Sequence, residues 1–180
     1  MKRLLAAIAV LTLCACGSTQ TQSKASPTSA ASAAVATPTP TPAPAIQVFK
    51  PGDQIQVSNE KLQTKLLLVV GQPHLIKPSQ YDSDARNGEY LGIPLTVENQ
   101  GSQPFSLSSM LGFDLRDQDG QGYNTTFLSS APKAPDGEMA PTQKLAGTLV
   151  YDVAPGKVYQ LLFKANFLAS GQAIVNLGQF

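Results

Sequence analysis

Gly88-Glu89-Tyr90-Leu91-Gly92-Ile93-Pro94-Leu95-Thr96-Val97-Glu98-Asn99 alternates aliphatic with other side chains at a period of two. In an extended strand Leu91, Ile93, Leu95 and Val97 share one face, and Gly92, Pro94, Thr96 and Glu98 share the other. Tyr90 is out of phase with the aliphatic set and belongs on the opposite face, packed across strands or partly exposed. Asn99 and Gly101 end the strand in a turn. Pro94 cannot donate to a ladder, so its presence predicts an edge strand or a bulge at that position.

The same period runs outward in both directions. Ile55 and Val57 alternate with Gln54 and Gln56, and Leu62 to Val70 is an apolar-rich run stopped by Gly71 and Pro73. Phe105 and Leu107, then Phe113 and Leu115, then Leu149, Tyr151 and Val153 repeat the alternation, and 161–163 and 174–177 complete the set. No window sustains the i, i+3, i+4, i+7 stripe of a helix. Turn pairs separate the runs, among them Asn87-Gly88, Asp119-Gly120, Asp136-Gly137, Pro155-Gly156 and Ser170-Gly171. Asp119-Gly120 reads as a hairpin turn with Tyr123 starting the return strand. About eight short strands of this kind indicate an antiparallel β-sandwich or barrel.

Several of these stretches, in this order, carry a family resemblance. Gly52-Asp53-Gln-Ile-Gln-Val57 is followed by the Gly88–Asn99 stretch with Gly101 and Phe105. Then come Phe113-Asp-Leu115-Arg-Asp117-Gln-Asp119-Gly120-Gln-Gly-Tyr123 and Gly147-Thr-Leu149-Val-Tyr-Asp-Val153. Residues 46–180 resemble the bacterial telokin-like family called domain of unknown function 4352. The resemblance implies an immunoglobulin-like β-sandwich, exported and often lipid-anchored, with no known catalysis. The chain departs from the pattern at Pro94 and in the Pro/Gly-rich stretch from Ala131 to Pro141.

The N-terminus sets an expected location. Met1-Lys2-Arg3 is a basic start and Leu4 to Leu13 an apolar run broken only by Thr12. Ten apolar residues fall short of the ~20 that span a bilayer, which indicates a cleaved leader. Leu13, Ala15 and Cys16 resemble the lipobox of bacterial lipoproteins, with Leu at −3, a small residue at −1 and Cys at +1. That resemblance implies cleavage after Ala15 and diacylation of Cys16. Residues 1–15 are thus expected to be a signal peptide, and 16–45 the lipidated cysteine and a linker of Ser, Thr, Ala and Pro. The linker, lacking aromatic residues and carrying Val35 as its lone branched aliphatic, cannot bury enough apolar surface to order itself. Residues 46–180 form the domain.

Removal of the leader takes away Lys2 and Arg3, so 13 basic residues become 11 against 12 acidic ones. No basic block appears, and nucleic acid is not an expected partner. The chain has 2 cysteines, Cys14 and Cys16. One leaves with the leader and the other carries lipid, so neither a disulfide nor a thiol nucleophile is expected. The single histidine, His74, stands between prolines and reads as a loop residue; no nucleophile-elbow motif accompanies it, and one His without Cys argues against a zinc site. Asp82, Asp84, Asn87 and Glu89 cluster within eight residues and are the candidate calcium ligands, with Asp114, Asp117 and Asp119 as a second group. Neither follows the EF-hand spacing, and Asp is also a common turn residue. No catalytic residue and no cofactor is expected.

The sequence therefore predicts a non-catalytic, lipid-anchored cell-envelope protein presenting an immunoglobulin-like interaction module. Its expected contacts are the membrane through Cys16 and an envelope protein or cell-wall component, on the periplasmic or outer side of the cell or outer membrane. The alternative is a small-ligand or ion carrier or sensor at the envelope.

Overall fold

The computed structural model describes residues 46–59, 63–164 and 173–180; Cys16, the leader and the linker lie outside the described residues. The strands are β1 (Gln47–Phe49), β2 (Gln54–Asn59), β3 (Thr64–Val70), β4 (His74–Ile76), β5 (Glu89–Asn99) and β6 (Phe105–Leu107). A four-residue helix, α1 (Ser109–Gly112), leads into β7 (Phe113–Asp117), β8 (Gly122–Tyr123), β9 (Thr125–Thr126) and β10 (Gly137–Met139). β11 (Lys144–Val153), β12 (Val158–Phe163) and β13 (Ala173–Gln179) close the chain.

Two sheets face each other. One has the order β1-β13-β12-β7-β8; the other has the order β2-β3-β5-β11-β9, with β4 also paired to β5. β6 and β10 form a separate two-stranded ribbon. All pairings are antiparallel except that of β1, which runs parallel to β13. The alternation read from the sequence determines which side chains enter the space between the sheets. Leu91, Ile93, Leu95 and Val97 are at most 1% exposed and pack in one cluster with Leu149, Tyr151 and Val153 of their own sheet and Leu115, Leu161 and Val175 of the other. Burying a side chain of this kind contributes roughly 1.5–3 kcal/mol, so the interior is the main source of stability.

β5 is a central strand, and the expectation of an edge or a bulge at Pro94 is not met. Its register with β11 runs unbroken from Glu89↔Val153 to Glu98↔Lys144. The interruption sits in the partners on its other side. β3 leaves the ladder at Val70, β4 rejoins it at His74, and between them the Gly71 amide donates to the Pro94 carbonyl at 2.8 Å. In a strand the N and O of one residue point the same way, so the missing donor of Pro94 faces the gap between β3 and β4. Gly71 is required here, because a Cβ on it would lie 2.9 Å from the Pro94 Cβ. His74 is likewise not a loop residue: it opens β4, opposite Gly92, and is exposed.

Tyr90 does take the opposite face. With Leu128 and Val150 it forms a second, smaller cluster on the outside of the sheet, flanked by Ile76, Ala85 and Ala131. The Pro/Gly-rich departure also has a place. Lys133 to Pro135 run against β11 at Gly147, where a Cβ would lie 2.3 Å from the Lys133 carbonyl oxygen, and Thr148 donates its amide to that oxygen. Only glycine lets the two backbones approach this closely.

Asn99 is more than a turn residue. It is fully buried, and its side-chain amide donates to the Gln103 carbonyl at 2.8 Å and the Met139 carbonyl at 3.1 Å while its Oδ1 accepts from the Gly101 amide at 3.0 Å. One side chain thus joins the end of β5 to its own turn and to β10.

Candidate functional site

Two loops lie over the Tyr90 cluster, 77–88 between β4 and β5, and 127–136 between β9 and β10. Asp82 joins them. One of its carboxylate oxygens accepts from the Ser79 amide at 2.9 Å and the Ser79 hydroxyl at 2.7 Å; the other accepts from the Ser129 amide at 2.5 Å. The Ser79 and Ser129 hydroxyls are 3.0 Å apart. Asp152, on the outer face of β11, receives the Arg86 and Asn87 amides at 2.8 and 2.9 Å, one on each carboxylate oxygen, and the Asn87 side chain returns a bond to the Asp152 carbonyl. The Tyr90 hydroxyl donates to the Ser83 carbonyl at 3.1 Å. Short polar residues in this loop thus supply the hydrogen bonds that a strand would otherwise provide.

The loops border an open cleft of about 590 Å³, whose lining includes Asp84, Arg86, Tyr123, Asn124, Thr126 and Phe127. Arg86 is among the lining residues, and its guanidinium makes no ion pair among the described residues. On the same two loops stand the most exposed aromatic side chains among the described residues, Tyr81 at 83% and Phe127 at 75%. Tyr81 adjoins Asp82, and Phe127 lies two residues before Ser129, so the Asp82 bonds tie together the two loops that carry these aromatics.

The four candidate calcium ligands do not converge. Asp82 is turned to the serines; Asn87 is tied to Asp152; Glu89 sits in β5 opposite Val153; Asp84 lines the cleft. The second group is spent on a turn. Asp117 accepts from the Asp119 and Gln121 amides, both at 2.9 Å, and from the Tyr123 hydroxyl at 3.0 Å, which closes the β7–β8 hairpin. Asp119 pairs with Lys157 and Asp114 with Lys164. Among the described residues no three His, Cys, Asp or Glu side chains gather where they could hold a metal ion. Tyr159 packs edge-on against Tyr123, with centroids 5.6 Å apart, and donates its hydroxyl to the Ala154 carbonyl five residues upstream. This is the corner arrangement that braces strand ends in immunoglobulin-like sandwiches.

These carboxylates are expected to give the fold an acid-dependent stability. Desolvation works to raise Asp82 and Asp117, but the amide and hydroxyl donors outweigh it and hold both below the usual carboxylate range. A depressed folded value means stability that is present above the unfolded carboxylate pKa, about 3.9, and is lost as pH falls through the folded value. The thermal midpoint should therefore fall as pH drops below ~4. Asp117→Asn should start lower at pH 7, because an acceptor is gone, and should lose less between pH 4 and pH 2. Parallel curves would mean that Asp117 does not carry the acid dependence.

The sequence pointed to Asp82, Asp84, Asn87 and Glu89 but passed over Arg86, Tyr81, Phe127 and Asp152. An aromatic residue inside a turn-rich loop is the signal that could have found Tyr81 and Phe127, because burial in such a loop is rare.

No curated protein matches the chain in sequence. Among solved structures it is similar to the secreted protein MPT63 of Mycobacterium tuberculosis, at 15% identity and a TM-score of 0.56 over 73% of this chain and 98% of that one. It is also similar to YjhA of Bacillus subtilis, at 19% identity and a TM-score of 0.55 over 71% of this chain and 98% of the other. YcdA of Bacillus subtilis, assigned as a lipoprotein, aligns at 17% identity and a TM-score of 0.54 over 69% of this chain but 38% of its own length. At these identities the likeness is one of fold, a β-sandwich. The family model described as domain of unknown function DUF4352 matches residues 56–174, and the chain belongs to that family.

Proposed function

We propose that the chain is a non-catalytic, lipid-anchored protein of the bacterial cell envelope that presents its sandwich as an interaction module. The observation that carries this reading is the pair Tyr81 and Phe127, both largely exposed, on two loops held by Asp82. Rigid aromatic side chains offer large contact area at small entropic cost, and they are enriched where proteins bind proteins. The lipobox at Leu13, Ala15 and Cys16 supplies the anchor, and a lipoprotein and a secreted protein among the structural neighbours agree with an envelope or extracellular setting. No helix among the described residues is long and apolar enough to cross a membrane.

Two measurements test the reading. Metabolic labelling with a palmitate analogue should mark the wild-type chain and not Cys16→Ala; label retained by the variant would remove Cys16 as the anchor. A photo-crosslinking residue at position 81 or 127 should give a discrete protein or cell-wall adduct in intact cells, while position 160, on the outer face of the other sheet, should give none. The open polar cleft around Arg86 supports the second reading, a carrier or sensor of a small polar ligand. Absence of adducts, together with a thermal midpoint that rises with a small anion and no longer does so in Arg86→Ala, would favour it.

A further inference from the structure

Sheet borders expose unpaired backbone donors and acceptors, and proteins usually blunt them with short strands, charge, proline or bulges. Here β1 and β4 have three residues each, and β8 and β9 have two. β2 is different. It borders its sheet with six residues, Gln54-Ile55-Gln56-Val57-Ser58-Asn59, which carry no charge and no proline, and its register with β3 is unbroken.

The direction of its backbone groups follows from the ladder. Lys65 accepts the Gln100 amide on the β5 side, whereas Val70 accepts the Gly52 amide on the other side. Even-numbered residues of β3 therefore bond toward β2, where Leu68 and Leu66 oppose Ile55 and Val57. The N–H and C=O groups of Gln54, Gln56 and Ser58 consequently point out of the sheet, on the side where no strand among the described residues pairs with β2. Their side chains are exposed, while Ile55 and Val57 are held in the core at 1% and 2% exposure.

We propose that this edge docks a second copy of the same chain, the two β2 strands running antiparallel about a two-fold axis through Gln56. The pattern is self-complementary. With the axis at Gln56, each Gln54 opposes Ser58 of the other copy and Gln56 opposes itself, and each of these hydrogen-bonded positions exchanges two backbone bonds. No charge opposes a like charge, and the aliphatic side chains stay in their own cores. The absence of charge on the edge also argues against a partner steered by electrostatics. The contact is small and mostly polar, so the pairing is weak in dilute solution and favoured where copies are concentrated on one surface.

Disulfide trapping in the native envelope with the full-length chain tests the pairing. Opposed residues of a hydrogen-bonded pair lie about 5.5 Å apart at Cα, within disulfide reach, whereas Gln54 and its copy lie ~14 Å apart. Under mild oxidation Gln56→Cys should form a covalent homodimer, at least ~10-fold more than Gln54→Cys, while the parent chain forms none. The double variant Gln54→Cys, Ser58→Cys should also dimerise, and Gln56→Cys with Ser58→Lys should still fold but dimerise less. Equal trapping at 54 and 56 would indicate random collision and overturn the proposal. So would the absence of any Gln56→Cys homodimer, or an adduct to a different protein instead. Dimerisation that appears only after residues 18–45 are deleted would place the chain's own N-terminal segment on the edge and also overturn it.

Discussion

Leu95→Ala is expected to lower the unfolding free energy of the domain by ~2–5 kcal/mol, the cost of a cavity in a packed core. Leu95 is 1% exposed at the middle of β5, between Ile93 and Val97 on the face that meets the other sheet. Its strand is held on both sides, by β3 and by β11, so the walls of the cavity cannot easily collapse. A domain of this size has only ~5–15 kcal/mol in total, and the variant should unfold at far lower denaturant. Glu98→Ala on the opposite face is the control. Glu98 pairs with Lys144 at 3.1 Å, and the lysine side chain is 62% exposed, so the loss should be no more than ~1 kcal/mol. Chemical denaturation of both variants decides the point. Equal losses would mean that β5 faces the other way.

Asn99→Asp should cost at least ~3 kcal/mol at neutral pH, although it changes one atom. The Nδ2 group donates to two carbonyl oxygens, Gln103 and Met139; a carboxylate oxygen in its place would face both as an acceptor, out of water. The new carboxyl would be held above its ordinary value by burial and by the carbonyls. A raised folded value for an acid means that the loss is full above it and shrinks as pH falls toward the unfolded value of about 3.9. The gap between wild type and variant should therefore narrow from pH 7 toward pH 4.5. Asn99→Ala lacks a titrating group and should show a gap independent of pH in that range. A constant gap for Asn99→Asp would mean that the side chain turns out to solvent.

Much of the fold was legible because a strand that is half-buried must alternate. Leu91, Ile93, Leu95 and Val97, and Leu149, Tyr151 and Val153, announce both their strands and their inward faces without reference to any neighbour. Turn pairs such as Asp119-Gly120 were equally plain, since the Gly120 backbone at φ 82 is one that other residues avoid. β1, β4, β8, β9 and β10 are two or three residues long and show no period, whereas β6, also three residues, shows one through Phe105 and Leu107.

The candidate site was the less legible part. Asp82 is one of many Asp residues suited to a turn, and nothing local tells that it reaches Ser129, 47 positions away. Pro94 shows the same limit: its ring forbids a donor, which the sequence states, but whether a donor is needed depends on where β3 ends. Strand identity, the inward set and the hairpin turns are local consequences of side-chain period and backbone sterics, and the chain by itself determined them. Strand order, the central place of β5, the clearance at Gly147, the stapling of two loops by Asp82 and the place of β2 at the border of its sheet depend on which distant segments lie side by side, and only the tertiary structure decided them.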